Sequence, residues 1–139
     1  MPHEDIGAAR LRELVVKRLT GLTVAAFYGR HITRPPLRYG FIDSRNNIAL
    51  ENLAEILGCD PIDYSGRTEC CGFHTSAHNE KVAIKLTGQH IQSAKTNGAK
   101  TMVTPCPLCH TVLDSFQREI EKDLGQDLKC AGRPARSNR

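Results

Sequence analysis

Apolar positions along the chain alternate between two rhythms. Ile6, Ala9, Leu14 and Val15 repeat at helical spacing behind Asp5, which predicts a helix over roughly residues 6–20, stopped by Gly21. Leu22 to Tyr28, LTVAAFY, is short, continuous and apolar and ends at Gly29, as a strand covered on both faces does. Arg30 to Arg45 holds Pro35, Pro36 and Gly40 and reads as a loop leaving that strand's carboxyl end. A second helix runs from Asn46 or Asn47 through Ile48, Leu50, Leu53, Ala54 and Leu57 to Gly58, and a short strand follows near Ile62 to Tyr64.

The rhythm then lengthens. A helix is predicted from a Thr75 or Ser76 cap to Asn97-Gly98, with Val82, Leu86 and Ile91 or Ala94 as its buried stripe. Lys100 to Thr104 forms a third strand, broken by Pro105-Cys106-Pro107. A last helix places Leu108, Val112, Phe116, Ile120 and Leu124 at every fourth position before Gly125. Strands and helices in alternation predict an α/β fold, a small parallel sheet covered by helices in a three-layer sandwich. Ligands of such sheets collect at the carboxyl ends of the strands. Residues 1–125 read as one domain, and 126–139, which end in AGRPARSNR, as a disordered tail.

Composition narrows the class. The 139 residues carry 19 Lys and Arg against 15 Asp and Glu, a net charge of +4 too mild to argue for nucleic acid. Aromatic residues make up 5% with no Trp, so a base-stacking platform is disfavoured as well. No apolar run is long enough for membrane insertion and the N-terminus lacks the apolar core of a signal peptide, from which a cytoplasmic protein is expected. In that compartment six cysteines point to metal or redox chemistry before disulfides.

Four of the six are paired. Cys106 and Cys109 sit in a C-x-x-C where the third strand turns into a helix, with Pro107 suited to the first helical position and the helix end favouring a thiolate. Cys70-Cys71-Gly72 follows the second strand, so a parallel sheet would bring both pairs to one edge. Cys59 and Cys130 are isolated and read as ordinary thiols. His31, His74 and His110 lie beside the three strand ends and read as rim residues around a site whose sulfurs already suffice as ligands. His78 and His90 fall on the long helix as surface or partly buried positions.

These residues resemble a known family. FYGR-HITRPP followed by ECCGFHTSAHNEKVAIKLTGQHIQSAKTNGAKTMVTPCPLCHTVLD is similar to the cysteine-rich CCG domain of the heterodisulfide reductase B-type subunits and their relatives, over roughly residues 10–125. The resemblance implies a redox or electron-transfer module and a 4Fe–4S or non-cubane iron–sulfur assembly on Cys70, Cys71, Cys106 and Cys109, with other subunits of a reductase complex as partners. Four sulfurs would also satisfy zinc. Arg30 stands where the family's motif has its first cysteine; a guanidinium cannot ligate iron, so it is expected to pair with the thiolates, bind an anionic substrate or face water. The chain resembles one half of the family's tandem, and KCAGRPARSNR replaces a further apolar strand, from which homo-oligomerisation is expected. Two other functions fit the residues: a metal-free assembly module, and a thiol–disulfide exchange protein using Cys106 and Cys109.

Overall fold

The computed structural model describes residues 7–30 and 48–125. Three strands, β1 (Thr23–Ala26), β2 (Asp60–Ile62) and β3 (Thr101–Val103), form a parallel sheet in the order β2-β1-β3. Thr23, Val24 and Ala25 face Asp60, Pro61 and Ile62 on one side, and Val24, Ala25 and Ala26 face Thr101, Met102 and Val103 on the other. Pro61, which has no N–H for the ladder, is tolerated because β2 pairs with β1 at the border of the described sheet.

The apolar run behind β1 is explained by cover on both faces. Val24 packs with Ala54 of α2 (Ala49–Ile56) and with Cys59 on one face. Ala25 and Phe27 pack on the other face with Ile91, Val112, Leu113 and Ile120, which come from α4 (Glu80–Thr96), α5 (Pro107–Ser115) and α6 (Gln117–Leu124). Successive strand residues thus serve opposite cores, which gives an α/β fold with helices packed around the sheet. Cys59 is buried in the α2-side core as an ordinary thiol, and Cys130 lies outside the described residues.

The elements differ from expectation at their ends. The first helix, α1, is shorter, Ala8–Leu14, and has no buried residue; an element with no core contact has little beyond its own hydrogen bonds to extend it. The helix expected from Thr75 or Ser76 is two: the single turn α3 (Phe73–Ser76), then α4, whose N-cap Asn79 accepts a hydrogen bond from Val82 N. A side-chain cap there starts a new helix in place of continuing the old one. The last helix likewise divides at Phe116 into α5 and α6, although the four-residue repeat runs through the join. The loop over residues 31–45 and the tail over 126–139 lie outside the described residues.

Because all three strands run the same way, their carboxyl ends open on one edge of the sheet. Phe27 to Arg30, Asp63 to Gly72 and Thr104 to Cys106 leave from that edge. This is where the chemistry gathers.

Candidate metal or iron–sulfur centre

One cavity of about 190 Å³ at this edge is lined by Tyr28, Arg30, Cys70, Cys71, Phe73, His74, Cys106, Leu108 and Cys109. Both cysteine pairs therefore share a single space, together with Arg30 and His74. Cys71 and Cys109 are buried while Cys70 and Cys106 are partly exposed, so the sulfurs run from the cavity floor to its mouth. His110 is placed elsewhere: it is exposed and borders a separate cleft of about 50 Å³ with Met102, Asp114 and Gln117. His31 lies outside the described residues.

The floor holds two thiols, Cys71 and Cys109, that shift each other's pKa in opposite directions. Cys109 donates its S–H to Cys71, and this bond, with help from the backbone N–H of Phe73 and the charge of His74, pulls the Cys71 thiol down to about 6 against the penalty of burial. The same bond, together with burial and the proximity of Cys106, pushes Cys109 far up. Coupling between two close titrating sulfurs produces such a split. The thiol with a lowered pKa is thus on the Cys-Cys-Gly loop. Cys106 does cap α5 with Pro107 in the first turn, as its sequence predicts, and its N–H is held by Thr104 Oγ1 at 3.3 Å.

Two glycines make the approach of these elements possible. At Gly29 φ is +70°, and a Cβ there would lie 2.8 Å from Cys109 Sγ, so the β1 end passes over the sulfur only without a side chain. Gly72, with φ of +93°, packs against the Ala83 carbonyl of α4, 3.0 Å from where its Cβ would be. Helix α4 also holds the loop directly: Thr87 Oγ1 donates to Cys71 O at 2.8 Å, and His90 Nε2 lies 2.9 Å from Cys70 O. Sequence reasoning left Thr87 unremarked and placed His90 at a surface or partly buried position; Thr87 is fully buried and His90 is 9% exposed. Their signal was a row of small or polar residues, Ala83, Thr87, Gly88 and His90, on one face of a helix.

Behind the cavity wall, the Tyr28 hydroxyl donates to Glu51 Oε2 and accepts from Leu50 N at 2.9 Å, while Arg67 Nη1 holds Glu51 Oε1 at 2.9 Å. The carbonyl of Arg67 in turn accepts from Tyr28 N and Gly29 N at 2.8 and 3.2 Å. Burial and the neighbouring Glu51 push the Tyr28 phenol well above its ordinary range, so it stays a donor. Tyr28→Phe removes a donor from a mostly buried carboxylate and an acceptor from Leu50 N–H. A loss of about 1–3 kcal/mol is expected in urea unfolding, and an unchanged midpoint would show that solvent replaces both bonds.

The donor chemistry constrains what the cavity can hold. Thiolates are soft ligands for zinc and iron–sulfur clusters. Among the described residues, however, no three His, Cys, Asp or Glu side chains are gathered so that they could hold a single metal ion. Four sulfurs around one cavity are donors of the kind that zinc or an iron–sulfur cluster takes.

The sequence profile of the cysteine-rich CCG domain matches residues 24–114, and the chain belongs to that family. It is 39% identical to the 8-methylmenaquinol:fumarate reductase membrane anchor subunit of Wolinella succinogenes over 112 residues, 81% of this chain and 39% of the relative. It is 32% identical to a protein of Archaeoglobus profundus named for its likeness to the heterodisulfide reductase B-type subunit, over 126 residues, 87% of this chain and 42% of that one. The B-type subunit of the ferredoxin:CoB-CoM heterodisulfide reductase of Methanosarcina mazei is 24% identical over 127 residues, 90% of this chain and 42% of that one. The chain thus spans about two fifths of the length of these relatives. Among the described residues no helix is long and apolar enough to cross a membrane.

Proposed function

We propose that the protein is an electron-transfer module of a reductase complex, and that Cys70, Cys71, Cys106 and Cys109 hold an iron–sulfur cluster. The observation that carries this reading is the meeting of two sequence-distant cysteine pairs in one cavity at the carboxyl edge of the sheet. Its relatives are named as subunits of a fumarate reductase and of heterodisulfide reductases, which supports a redox role alongside partner subunits. A bound cluster would supply one-electron chemistry. The chain's own residues set the conditions for it: Phe73 and Leu108 supply apolar wall, the bond from Cys109 favours the thiolate form of Cys71, and Arg30 brings a cationic side chain, with His74 beside it, to the space around the sulfurs. Such a site needs reduced thiols and hence a reducing compartment.

Protein made and purified without oxygen is expected to contain iron and inorganic sulfide in about equal amounts, at several irons per chain, with visible charge-transfer absorption. Zinc at one per chain without sulfide would replace the cluster with a single ion, and neither metal would end the proposal.

One observation favours a second reading. The bond between the Cys71 and Cys109 sulfurs is what a thiol–disulfide exchange pair requires, with the Cys71 thiolate attacking and Cys109 resolving. A mixed disulfide trapped on Cys71 in metal-free Cys109→Ser protein, together with no iron uptake by the native chain, would select it.

A further inference from the structure

Two adjacent cysteines are an awkward way to deliver two sulfurs to one place. In extended backbone successive side chains point to opposite sides, so Cys70 and Cys71 can both border one cavity only if the loop is bent. Bending turns their carbonyl groups toward the protein, and a buried carbonyl without a donor is costly. The structure supplies a donor for each, from neighbouring turns of α4. Thr87, fully buried, puts its hydroxyl 2.8 Å from Cys71 O, and His90 puts Nε2 2.9 Å from Cys70 O. A carbonyl only accepts, so the proton of His90 is on Nε2.

Both donors are fixed by their own surroundings. The Thr87 hydroxyl also lies 2.9 Å from Ala83 O one turn back, which sets its rotamer, and Gly72 packs against that same turn. The His90 ring stands 5.2 Å from the Phe27 ring, centroid to centroid, and a Cβ on Gly66 would come within 2.8 Å of its Nδ1. Neither residue borders the cavity. Their bonds end on the backbone of the two residues that do.

We infer that Thr87 and His90 are positioning residues, a two-point clamp on the Cys70-Cys71 backbone that holds both sulfurs toward the cavity. The inference rests on the cysteine cavity being the working site, and it concerns the polypeptide whatever the cavity holds. Substitution of either donor releases one carbonyl, and the loop then samples conformations in which Cys71 leaves its buried position. Cys59, buried on the opposite face of the sheet, reports on opening of the whole domain and serves as an internal control.

The test is alkylation of the reduced, metal-free full-length chain with iodoacetamide at one fixed pH, with the rate at each cysteine read by mass spectrometry. Thr87→Val, which keeps the shape and removes the hydroxyl, is expected to raise the Cys71 rate on the order of tenfold with the Cys59 rate unchanged. Thr87→Ser restores the native rate because it keeps the donor. His90→Phe is expected to act in the same direction and His90→Gln to recover part of the effect. After reconstitution with iron and sulfide, Thr87→Val and His90→Phe lose iron to a chelator roughly 10- to 100-fold more readily than native protein. Unchanged Cys71 rates in both donor-less variants, or Cys71 and Cys59 rates rising together, would overturn the clamp. A native chain that takes up no iron would sink the cluster reading alone, because the alkylation comparison does not depend on metal.

Discussion

Cys71→Ser is expected to cut the iron bound after anaerobic reconstitution by more than about tenfold, the smallest loss typical when supporting groups alone are removed. The reason is chemical before it is structural. A serine hydroxyl is close in size to a thiol, but near neutral pH it stays protonated and is a hard, weak ligand for iron. Cys71 is also the sulfur whose ionisation the fold promotes: Cys109 and the Phe73 N–H donate to it, and its pKa is drawn down to about 6. Removing it takes away the favoured thiolate and leaves Cys109, pushed upward in the native pair, without its acceptor. Cys109→Ser should be nearly as severe. Cys59→Ala is the control, since Cys59 lies in the core on the far side of the sheet and its loss should leave iron near the native level. Iron and sulfide per chain, with the visible spectrum, measure all three; native-like iron in Cys71→Ser would remove that residue from the ligand set.

The convergence of the cysteines was legible in the sequence because it follows from strand direction. Once LTVAAFY, the segment before Tyr64 and the segment before Pro105 are read as parallel strands, the residues after each must emerge on one edge, and the sheet order β2-β1-β3 puts both cysteine-bearing strands beside β1. The orientation of α4 was not legible in the same way. Hydrophobicity chose Val82, Leu86 and Ile91 or Ala94 as the inward stripe, yet Val82 is 45% exposed while Ala83, Thr87 and Gly88 are buried along with both Ile91 and Ala94. The helix is turned by about one position because its partner over the first turns is a backbone loop and not a set of side chains. A loop packs closely only on small residues, and its carbonyls want donors, so Ala83 and Thr87 are selected there against the apolar count, while Gly88 is kept small by Ile120 of α6, 3.1 Å from where its Cβ would be.

The same limit applies to the breaks in the helices. Phe116 ends α5 and begins α6 within an unbroken four-residue repeat, and the periodicity has no feature that marks the join. The resemblance to the CCG domain, carried by short motifs, singled out the four cysteines that line the cavity more sharply than any periodicity did. It named residues, and the fold explains why those residues need their neighbours.

Gly29 is where that need can be measured. Gly29→Ala is expected to destabilise the protein by about 2–5 kcal/mol and to lower its iron content. Two costs combine: a side chain in the left-handed region, about 1–2 kcal/mol, and overpacking in a rigid place, typically about 1–3 kcal/mol. The second arises because a Cβ on Gly29 would stand 2.8 Å from Cys109 Sγ, a short side chain on a buried helix face that also carries Val112 and Leu113. Cys109 could yield only by moving its sulfur off Cys71 or by shifting α5. Gly21→Ala separates the two costs. Gly21 has φ of +78°, much like the +70° of Gly29, but open space where its Cβ would go, so it carries the backbone cost alone. Urea unfolding of the two variants should differ by the overpacking share, and iron content should fall in Gly29→Ala only. Equal losses in both would mean that the close pass of the β1 end over Cys109 places no demand on the side chain, and that the sulfur is positioned from α5 and the Cys-Cys-Gly loop without it.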